Sequence, residues 1–443
     1  MNTFLGILTL GFIILIHEWG HFIAARLCKV RVDVFSIGFG PRLFGIKRGD
    51  TDWRLSAVPL GGYVRMAGQD ITDIDSSAES KPTGAPDELL SKTRWQRAFI
   101  SFAGPAVNLL FPILLLGIYF AIAGDPYPAY FDKPMIIQDL PAAQLANPDG
   151  LRPGDKIISL NGKPVSDWRS AYTAVENVVP GATIAAQVEN GGITRDAKIP
   201  VGTGKGEHIF GYPPIPPQIA QTVSGKAAYH AGIKDGDVVT SVDGHPIKYW
   251  DQLVDAIHES AGKTLQVGVL RNSQPLTLAV TPTLNTSQSG DKVYQIGVAP
   301  EIPTASKKIP LLAAFKTAGV KTYDLGAQTI DVIVKLVTGR VSLRDLQSVI
   351  GISRAAGEAV SQGPSAIILF MVFLSVQLGI LNLLPIPILD GGHILLLSLE
   401  GIRRRDFSLA FKERFIQVGL VFLLALVAYV MFNDVRNLFP PHS

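Results

Sequence analysis

Ile14-Leu-Ile-His17-Glu18-Trp-Gly-His21-Phe-Ile-Ala-Ala25 puts two histidines and a glutamate inside an apolar run that begins at Thr3 and carries no charge before Glu18. At about 1.5 Å per residue, the run is long enough to cross the hydrocarbon core of a bilayer. On a helix, His17 and His21 lie on one face because they are four residues apart, and Glu18 lies one step round. The order H-E-x-x-H is typical of a zinc site in which the glutamate moves the proton.

The apolar setting makes this motif more specific. An ionisable side chain at membrane depth costs at least about 2.5–3.5 kcal/mol, so three clustered polar residues require a use. The alternative is a set of interfacial polar residues near a helix end, but such residues do not need this spacing. We expect the run to be retained and not cleaved as a signal peptide, because it lacks a charged leading segment and a small-x-small cleavage site.

Composition indicates a membrane protein that also has water-exposed domains. Hydrophobic residues make up 47% of the 443 residues, and the mean hydropathy of +0.27 is high for a soluble chain and low for an all-membrane one. The formal net charge of +3 is too small to argue for nucleic-acid binding. Because Cys28 is the single cysteine, neither an intrachain disulfide nor a cysteine-based zinc site is possible.

Three further apolar runs predict membrane spans at residues 98–123, 364–394 and 415–437, in addition to the first at 1–25. Basic residues beside a span mark the cytoplasmic side. A basic segment follows the first span, and another, around Arg403–Arg405, precedes the fourth. We therefore expect both termini outside the cytoplasm and the two histidines in the cytoplasmic half of the first span.

An ungapped internal repeat lies between the second and third spans. Gly150–Trp168 matches Gly232–Trp250, and each copy has a Gly-Asp pair before a strand pattern and a hairpin turn of the favoured type after it. The turns are Asn161-Gly162 and Asp243-Gly244. The repeat resembles PDZ domains, which bind extended peptides or chain ends by adding a strand to a sheet edge. A rigid lid or spacer is an equally open alternative.

Other segments outside the spans carry weaker signals. Trp53–Met66 predicts two short strands around a proline and a Gly-Gly pair, and Asp70–Glu88 predicts a flexible acidic loop. Residues 306–363 predict amphipathic helices with apolar faces suited to the membrane surface, or alternatively buried against the repeats. In the second span, Asn108 needs a partner in lipid. Helix packing is the favoured role, and support of the metal site is the alternative.

A third metal ligand is needed, because catalytic zinc takes three protein groups plus water. The third span contains Asn382-Leu-Leu-Pro385-Ile-Pro387-Ile-Leu-Asp390-Gly-Gly-His393, in which two prolines break the helix. Such a break at membrane depth is tolerated where it is buried in protein or lines a wet cavity. The basic patch that follows puts Asp390 on the side of the histidines, so Asp390 is the preferred ligand. His393 is the competing candidate, and helix capping or pairing with an arginine is the alternative role of Asp390.

Together these motifs resemble the site-2 protease family of intramembrane proteases. The resemblance rests on His17-Glu18-x-x-His21 in a first span, Asn382-x-x-Pro-x-Pro-x-Leu-Asp390-Gly in a later one, and a PDZ insertion between them. The tandem PDZ pair and the four-span layout resemble its bacterial RseP-like branch, the regulators of sigma E protease. One departure is visible, since Gln347-Ser348 stands where relatives often have Gly-Pro.

The resemblance implies one Zn²⁺ per chain bound by His17, His21 and Asp390, with Glu18 as the catalytic base. It also implies that Asn382 positions the substrate or stabilises the oxyanion, and that the 53–66 element pairs with an unwound substrate. The residues it assigns to substrate binding are Arg54, Leu55, Ser56, Ala57, Val58, Gly61, Gly62 and Tyr63.

We therefore expect a polytopic α-helical membrane protein with four transmembrane helices, two tandem α+β PDZ domains and a small membrane-associated β element. The resemblance implies a bacterial inner-membrane protease that cleaves single-span membrane proteins, an anti-sigma factor and signal-peptide remnants among them. The PDZ pair is expected in the periplasm, gating substrate access. Membrane lipid, and a peptide or chain end at the PDZ domains, are the other expected partners, and nucleic acid is not expected.

Two other classes of function compete with a protease. A non-catalytic PDZ membrane scaffold is the main alternative, and a transporter is a third option because broken helices and buried carboxylates occur there too. Neither explains a complete zinc-binding set on one side of the membrane. The expected segments are 1–25, 26–97, 98–123, 124–212 (first PDZ domain), 213–305 (second PDZ domain), 306–363, 364–394, 395–414 (cytoplasmic basic loop) and 415–437.

Overall fold

The computed structural model describes residues 2–68, 83–202, 208–223, 225–286, 292–339 and 349–438. Most of the expected acidic loop and the pair Gln347-Ser348 lie outside these residues. The described helices are α1 (Asn2–Leu27), α2 (Arg94–Ala123), α3 (Ala142–Leu145), α4 (Trp168–Val175), α5 (Ala227–His230), α6 (Trp250–Glu259), α7 (Leu311–Val337), α8 (Val349–Gln362), α9 (Pro364–Asn382), α10 (Asp390–Arg403) and α11 (Leu409–Leu438). The described strands are β1 (Val32–Arg48), β2 (Thr51–Met66), β3 (Asp125–Pro128), β4 (Lys156–Leu160), β5 (Lys163–Pro164), β6 (Thr183–Asn190), β7 (Ile193–Pro200), β8 (Ile219–Thr222), β9 (Val238–Val242), β10 (His245–Pro246), β11 (Leu265–Arg271), β12 (Gln274–Val280), β13 (Thr283–Thr286), β14 (Lys292–Gln295), β15 (Val298–Pro300) and β16 (Thr304–Lys307).

The chain divides into two compact units. The helical unit comprises Met1–Asp125 and Lys308–Ser443, and the repeat unit comprises Pro126–Lys307. Within the described residues, four helical stretches of the helical unit are long and apolar enough to cross a membrane. They are Leu8–Leu27, Arg94–Ala123, Pro364–Asn382 and Ala410–Phe432, at the positions of the four predicted spans.

Helix α2 begins at Arg94, four residues before the predicted start of the second span. Thr93 and Gln96 form a capping box, in which each side chain satisfies the main-chain N–H of the other residue. Such a box satisfies main-chain donors that the first helical turn leaves unpaired. Polar residues therefore extend this helix beyond its apolar part.

The two prolines break the third apolar segment as expected. Helix α9 ends at Asn382 and α10 begins at Asp390, with Pro385 and Pro387 in the connection. The segment 395–414, expected as a basic loop, instead contains most of α10 and the start of α11. Glu400 explains the short turn between them, because its buried carboxylate accepts the Phe407 main-chain N–H at 2.9 Å and pairs with Lys412 at 3.0 Å.

Helix α7 is the main amphipathic helix of the 306–363 segment. Its fully buried Ala314 and Ala318 pack against α2 and α9, in a cluster with Leu116, Phe120 and Val372. The small side chains allow close approach to the apolar helices. The buried face of α7 therefore lies against other helices of its own unit, while residues such as Leu312 and Tyr323 are exposed.

Strands β1 and β2 form a sheet that is larger than the two short strands predicted. Glycines with positive φ at 38 and 40 bend β1, so that residues 34–37 and 44–48 both pair with the first half of β2. The second half of β2, residues 62–66, pairs with the other edge of 32–37. The segments therefore lie in the order 42–48, 51–56, 32–37 and 62–66, with 62–66 at one edge.

The repeat unit contains two similar four-stranded sheets, with strand orders β5-β4-β6-β7 and β10-β9-β11-β12. Each sheet has its own apolar core, in which the first residue of the neighbouring helix, Trp168 or Trp250, is buried. The Gly-Asp pairs have a structural role, because buried Asp155 pairs with Arg195 and buried Asp237 with Arg271. Both residues of each predicted hairpin turn have positive φ, which confirms the turn type.

Candidate metal centre

His17, His21 and Asp390 meet inside the helical unit, although 369 positions separate the last two. Nε2 of His17 lies 3.1 Å from Oδ2 of Asp390, and Nε2 of His21 lies 3.4 Å from Oδ1. The two Nε2 atoms are 3.2 Å apart. Both histidines are less than a tenth exposed. The helical spacing on α1 and the proline break before α10 thus bring three potential ligands to one point.

These separations fit a tetrahedral metal site. Zinc binds histidine nitrogen and carboxylate oxygen at about 2.0–2.2 Å, so neighbouring ligand atoms of a tetrahedron lie about 3.3–3.6 Å apart. The Nε2–Nε2 distance of 3.2 Å is close to that spacing, and each Nε2 atom has one oxygen of the Asp390 carboxylate at 3.1 or 3.4 Å. One ligand atom from each of the three residues lies within 4.8 Å of the other two. The donor set of two imidazoles and one carboxylate matches catalytic zinc sites, which keep a fourth position for water. The residues present can therefore hold a zinc ion.

Helix α2 forms the second wall of this centre. The main-chain carbonyl of Ile100 lies 2.8 Å from Nδ1 of His21, and the amide nitrogen of Asn108 lies 3.3 Å from Nδ1 of His17. Between them, Gly104 faces both imidazoles, because a Cβ there would lie 2.6 Å from Cε1 of His21 and 2.9 Å from Cε1 of His17. Gly104 and Asn108 are four residues apart on α2, as His17 and His21 are on α1. Helix packing is the role that the sequence favours for Asn108, and the structure also places its amide beside His17.

The two residues expected to act on substrate also lie at the centre. Glu18 lies close to both histidines and Asp390, and it also lies beside the main chain of Val64. The side-chain nitrogen of Asn382 lies 3.4 Å from Nε2 of His17. Asn382 closes α9 immediately before the proline break, which explains why its side chain can reach α1.

His393, the competing ligand, does not belong to this cluster. Within the described residues, one group of three or more His, Cys, Asp or Glu side chains has its ligand atoms within 4.8 Å of one another. Its members are His17, His21 and Asp390. His393 lies one helical turn beyond Asp390 on α10 and is exposed. The geometry favours the carboxylate.

The residues expected to bind substrate are spread over β2. Ser56 is buried and hydrogen-bonded to Ser36 at 2.8 Å, and Arg54 pairs with Asp52 at 2.8 Å. Gly61 and Gly62 are buried, and a Cβ at position 61 would lie 3.2 Å from Ile14 of α1. The remaining members, Leu55, Ala57 and Val58, are exposed, and Tyr63 is half-buried beside Arg54. The second half of β2, near Val64, is the part that approaches the metal centre.

Residues 5–426 match the model of peptidase family M50. The chain belongs to peptidase family M50. The expected resemblance to RseP-like proteases is confirmed by relatives within this family. Protease RseP of Yersinia pestis is 31% identical over 459 residues, which cover 98% of each chain. Regulator of sigma-E protease RseP of Escherichia coli K12 is 30% identical over 455 residues, with 98% of each chain covered.

The name of another relative refers to zinc. A Neisseria meningitidis protein named as a zinc metalloprotease is 32% identical over 456 residues, covering 99% of this chain and 100% of the relative. Among solved structures, the PDZ domain of an SdrC-like protein from Listeria monocytogenes matches 19% of this chain and 84% of its own, at 19% identity and a TM-score of 0.17. That TM-score is too low to support an argument about the repeat unit.

Proposed function

We propose that this M50 member is an intramembrane zinc metalloprotease that cleaves single-span membrane proteins within or next to their transmembrane segment. The observation that carries the proposal is the cluster of His17, His21 and Asp390, in which the two Nε2 atoms lie 3.2 Å apart and 3.1 and 3.4 Å from the two oxygens of the carboxylate. Two helices long and apolar enough to cross a membrane, α1 and α9, carry or lead directly to these residues. Metal ligands carried by such helices are placed to act on a substrate within the membrane, and not on one in bulk water.

One zinc ion per chain would be held by His17, His21 and Asp390. When bound, zinc supplies Lewis acidity toward a water molecule and a peptide carbonyl. Glu18 takes a proton from the attacking water on its carboxylate while the water oxygen bonds to the carbonyl carbon. Glu18 then returns this proton to the leaving amine as the carbon–nitrogen bond breaks. The amide of Asn382 donates a hydrogen bond to the oxyanion, and such a donor is typically worth about 3–4 kcal/mol.

The substrate must unwind before it is cut, because a helix hides its carbonyls in internal hydrogen bonds. We propose that the unwound segment adds as a strand to the sheet of β1 and β2, at the edge formed by residues 62–66. The position of Val64 beside Glu18 supports this edge, because it brings the strand close to the proposed base. Strand addition would replace hydrogen bonds that otherwise cost several kcal/mol each in lipid. Of the predicted contacts, Gly62 and Tyr63 lie in this edge segment, whereas residues 54–56 lie in an inner segment and would contact a substrate only from a face of the sheet.

The two halves of the repeat unit are proposed to be PDZ domains, at 124–212 and 213–305. We propose that they lie in the periplasm with both termini and gate access of bulky substrates, while the zinc site faces the cytoplasmic side of a bacterial inner membrane. The matching sheets and the duplicated Asp–Arg pairs support the assignment of two equivalent domains. The names of the RseP relatives support an anti-sigma factor as substrate class.

The zinc content of the purified, detergent-solubilised protein tests the proposal, with His21→Ala measured beside the wild type. About one zinc per chain in the wild type, lost in the variant, is the expected result. Cleavage of a single-span substrate that ceases on chelation is the second expected result. A wild type that binds no zinc even when it is supplied would overturn the proposal and leave a non-catalytic membrane scaffold.

A further inference from the structure

Asn108 is buried beside the metal centre and is not used by the mechanism above. Its side chain is 0% exposed, and its amide nitrogen lies 3.3 Å from Nδ1 of His17. Among the described residues, its amide oxygen has no hydrogen-bond partner. The arrangement therefore raises the question of which amide atom faces Nδ1 of His17 when a metal is bound.

The tautomer of His17 answers this question. Nε2 of both histidines faces Asp390, so metal binding through Nε2 requires that each Nδ1 carries the proton. Metal-binding histidines usually donate this second N–H to an oxygen acceptor, which fixes the ring. For His21 the acceptor is the carbonyl of Ile100, at 2.8 Å. For His17 the group at the equivalent place is the amide of Asn108.

The side-chain amide of Asn108 can take two orientations that fill the same space and differ only in which of its oxygen and nitrogen atoms faces His17. With its nitrogen toward His17, it donates to Nδ1, and the ring proton is then on Nε2, where it prevents metal binding. A half-turn about χ2 exchanges the two amide atoms and places the oxygen beside Nδ1. We propose that Asn108 is a positioning residue whose amide oxygen accepts the Nδ1–H of His17 and thereby keeps Nε2 free for the metal. The inference rests on the zinc site proposed above.

Helix packing does not account for the side chain. The link between α2 and α9 at this point is a 2.8 Å hydrogen bond from Ser375 to the main-chain carbonyl of Asn108, which any residue at position 108 provides. Ser375 is also completely buried. Replacing Ser375 therefore removes the helix–helix hydrogen bond and leaves the amide in place, which makes Ser375→Ala a matched control.

The test is zinc affinity, measured by competition with a chelator on the full-length protein in detergent. Asn108→Leu removes the acceptor at similar size and should weaken zinc binding by about 10- to 100-fold. Asn108→Asp can accept but, when ionised, cannot donate, and should bind zinc within a few-fold of the wild type. Ser375→Ala should bind zinc like the wild type. Thermal unfolding of the metal-free proteins, measured in parallel, reports any loss of packing.

The outcomes separate the two proposals. If the wild type binds zinc and Asn108→Leu binds it equally well, the role of Asn108 is refuted while the zinc site stands. If Asn108→Asp loses as much affinity as Asn108→Leu, the amide does not act as the acceptor, and the inference fails. If the wild type binds no zinc, the proposed function itself fails. Asn108→Ala, which adds no bulk, takes the place of Asn108→Leu should the latter not fold.

Discussion

Gly104 of α2 lies directly against the ring of His21, so closely that a Cβ at position 104 would come within 2.6 Å of Cε1. Real Cβ atoms essentially never lie this close to another heavy atom. The nearest atoms belong to the two imidazole rings, which contact Asp390 on one side and α2 on the other. The glycine is therefore required by the two imidazoles, and not only by the packing of α1 on α2.

Replacing Gly104 by alanine should displace the two histidines and weaken zinc binding by roughly 10-fold or more, since overpacking a tight site typically costs about 1–3 kcal/mol. Zinc affinity by chelator competition measures the effect. Gly319→Ala is the matched control, because Gly319 also lies within a helix and a Cβ there has no atom within 4 Å. Equal affinities in the two variants would refute the steric argument.

Replacing Glu18 by glutamine keeps the size of the side chain but removes its basicity. We expect cleavage of a single-span substrate to fall by at least about 100-fold, the lower end of general acid–base effects. Zinc content should stay at the wild-type level, because Glu18 is not one of the three clustered ligands. An active glutamine variant would show that another group moves the proton.

Replacing Asp390 by alanine removes a metal ligand and should strongly lower zinc affinity. The loss should exceed the roughly 10- to 100-fold that is typical when a residue contacting a ligand is replaced. His393→Ala is the control, since His393 is close in sequence but exposed and outside the cluster. Metal content of both variants after purification decides between them. Loss of zinc from the His393 variant alone would reverse the ligand assignment.

The pH dependence of the repeat unit should follow His208, which lies 3.6 Å from Asp255 and 3.4 Å from Asp251, both on α6. The nearby carboxylate of Asp255 raises the pKa of His208, and burial opposes it only in part. Burial raises the pKa of Asp251. For Asp255, burial raises the pKa, but the nearby imidazole of His208 and the hydrogen bond from Tyr212 together outweigh it and lower the pKa.

A raised histidine pKa means that the charged contact is fully present below pH about 6.5 and is lost as pH rises through the folded-state value. Amide hydrogen exchange of residues 208–215 and 250–259, corrected for intrinsic rates, should therefore accelerate between pH 6 and 9 in the full-length protein. His208→Ala should exchange faster at pH 6 and lose this pH dependence. An unchanged pH profile in the variant would exclude His208 as the source.

If the repeat unit gates access, deleting residues 126–305 should allow cleavage of a substrate whose external domain has not been trimmed. The full-length protein should cut only the trimmed form, because a bulky domain cannot pass the gate. Gel analysis of both substrates with both proteins measures this, with Glu18→Gln in the deletion background as the inactive control. A folded deletion variant that cuts the trimmed form but still leaves the untrimmed one intact would contradict gating.

Local patterns in the sequence were enough to predict several parts of this molecule. The i, i+4 spacing puts His17 and His21 on one face of α1, and the apolar runs predict the four long helices, because both depend on short-range periodicity. The Asn-Gly and Asp-Gly turns of the repeat were predictable for the same reason. Even the grouping of Asp390 with the histidines could be predicted, from the basic residues that follow each of the two segments.

Only tertiary structure decided what surrounds these residues. Nothing in the sequence distinguishes the Ile100 carbonyl from any other, yet the packing of α1 on α2 directs it to His21. The roles of Gly104 and Asn108 depend on the same helix pair, and the edge of β2 at Val64 depends on a register that two bends in β1 create. Such contacts join residues far apart in the chain, and their geometry is fixed by close packing and not by local spacing. The sequence by itself determined the candidate ligands, whereas the fold decided which groups hold and orient them.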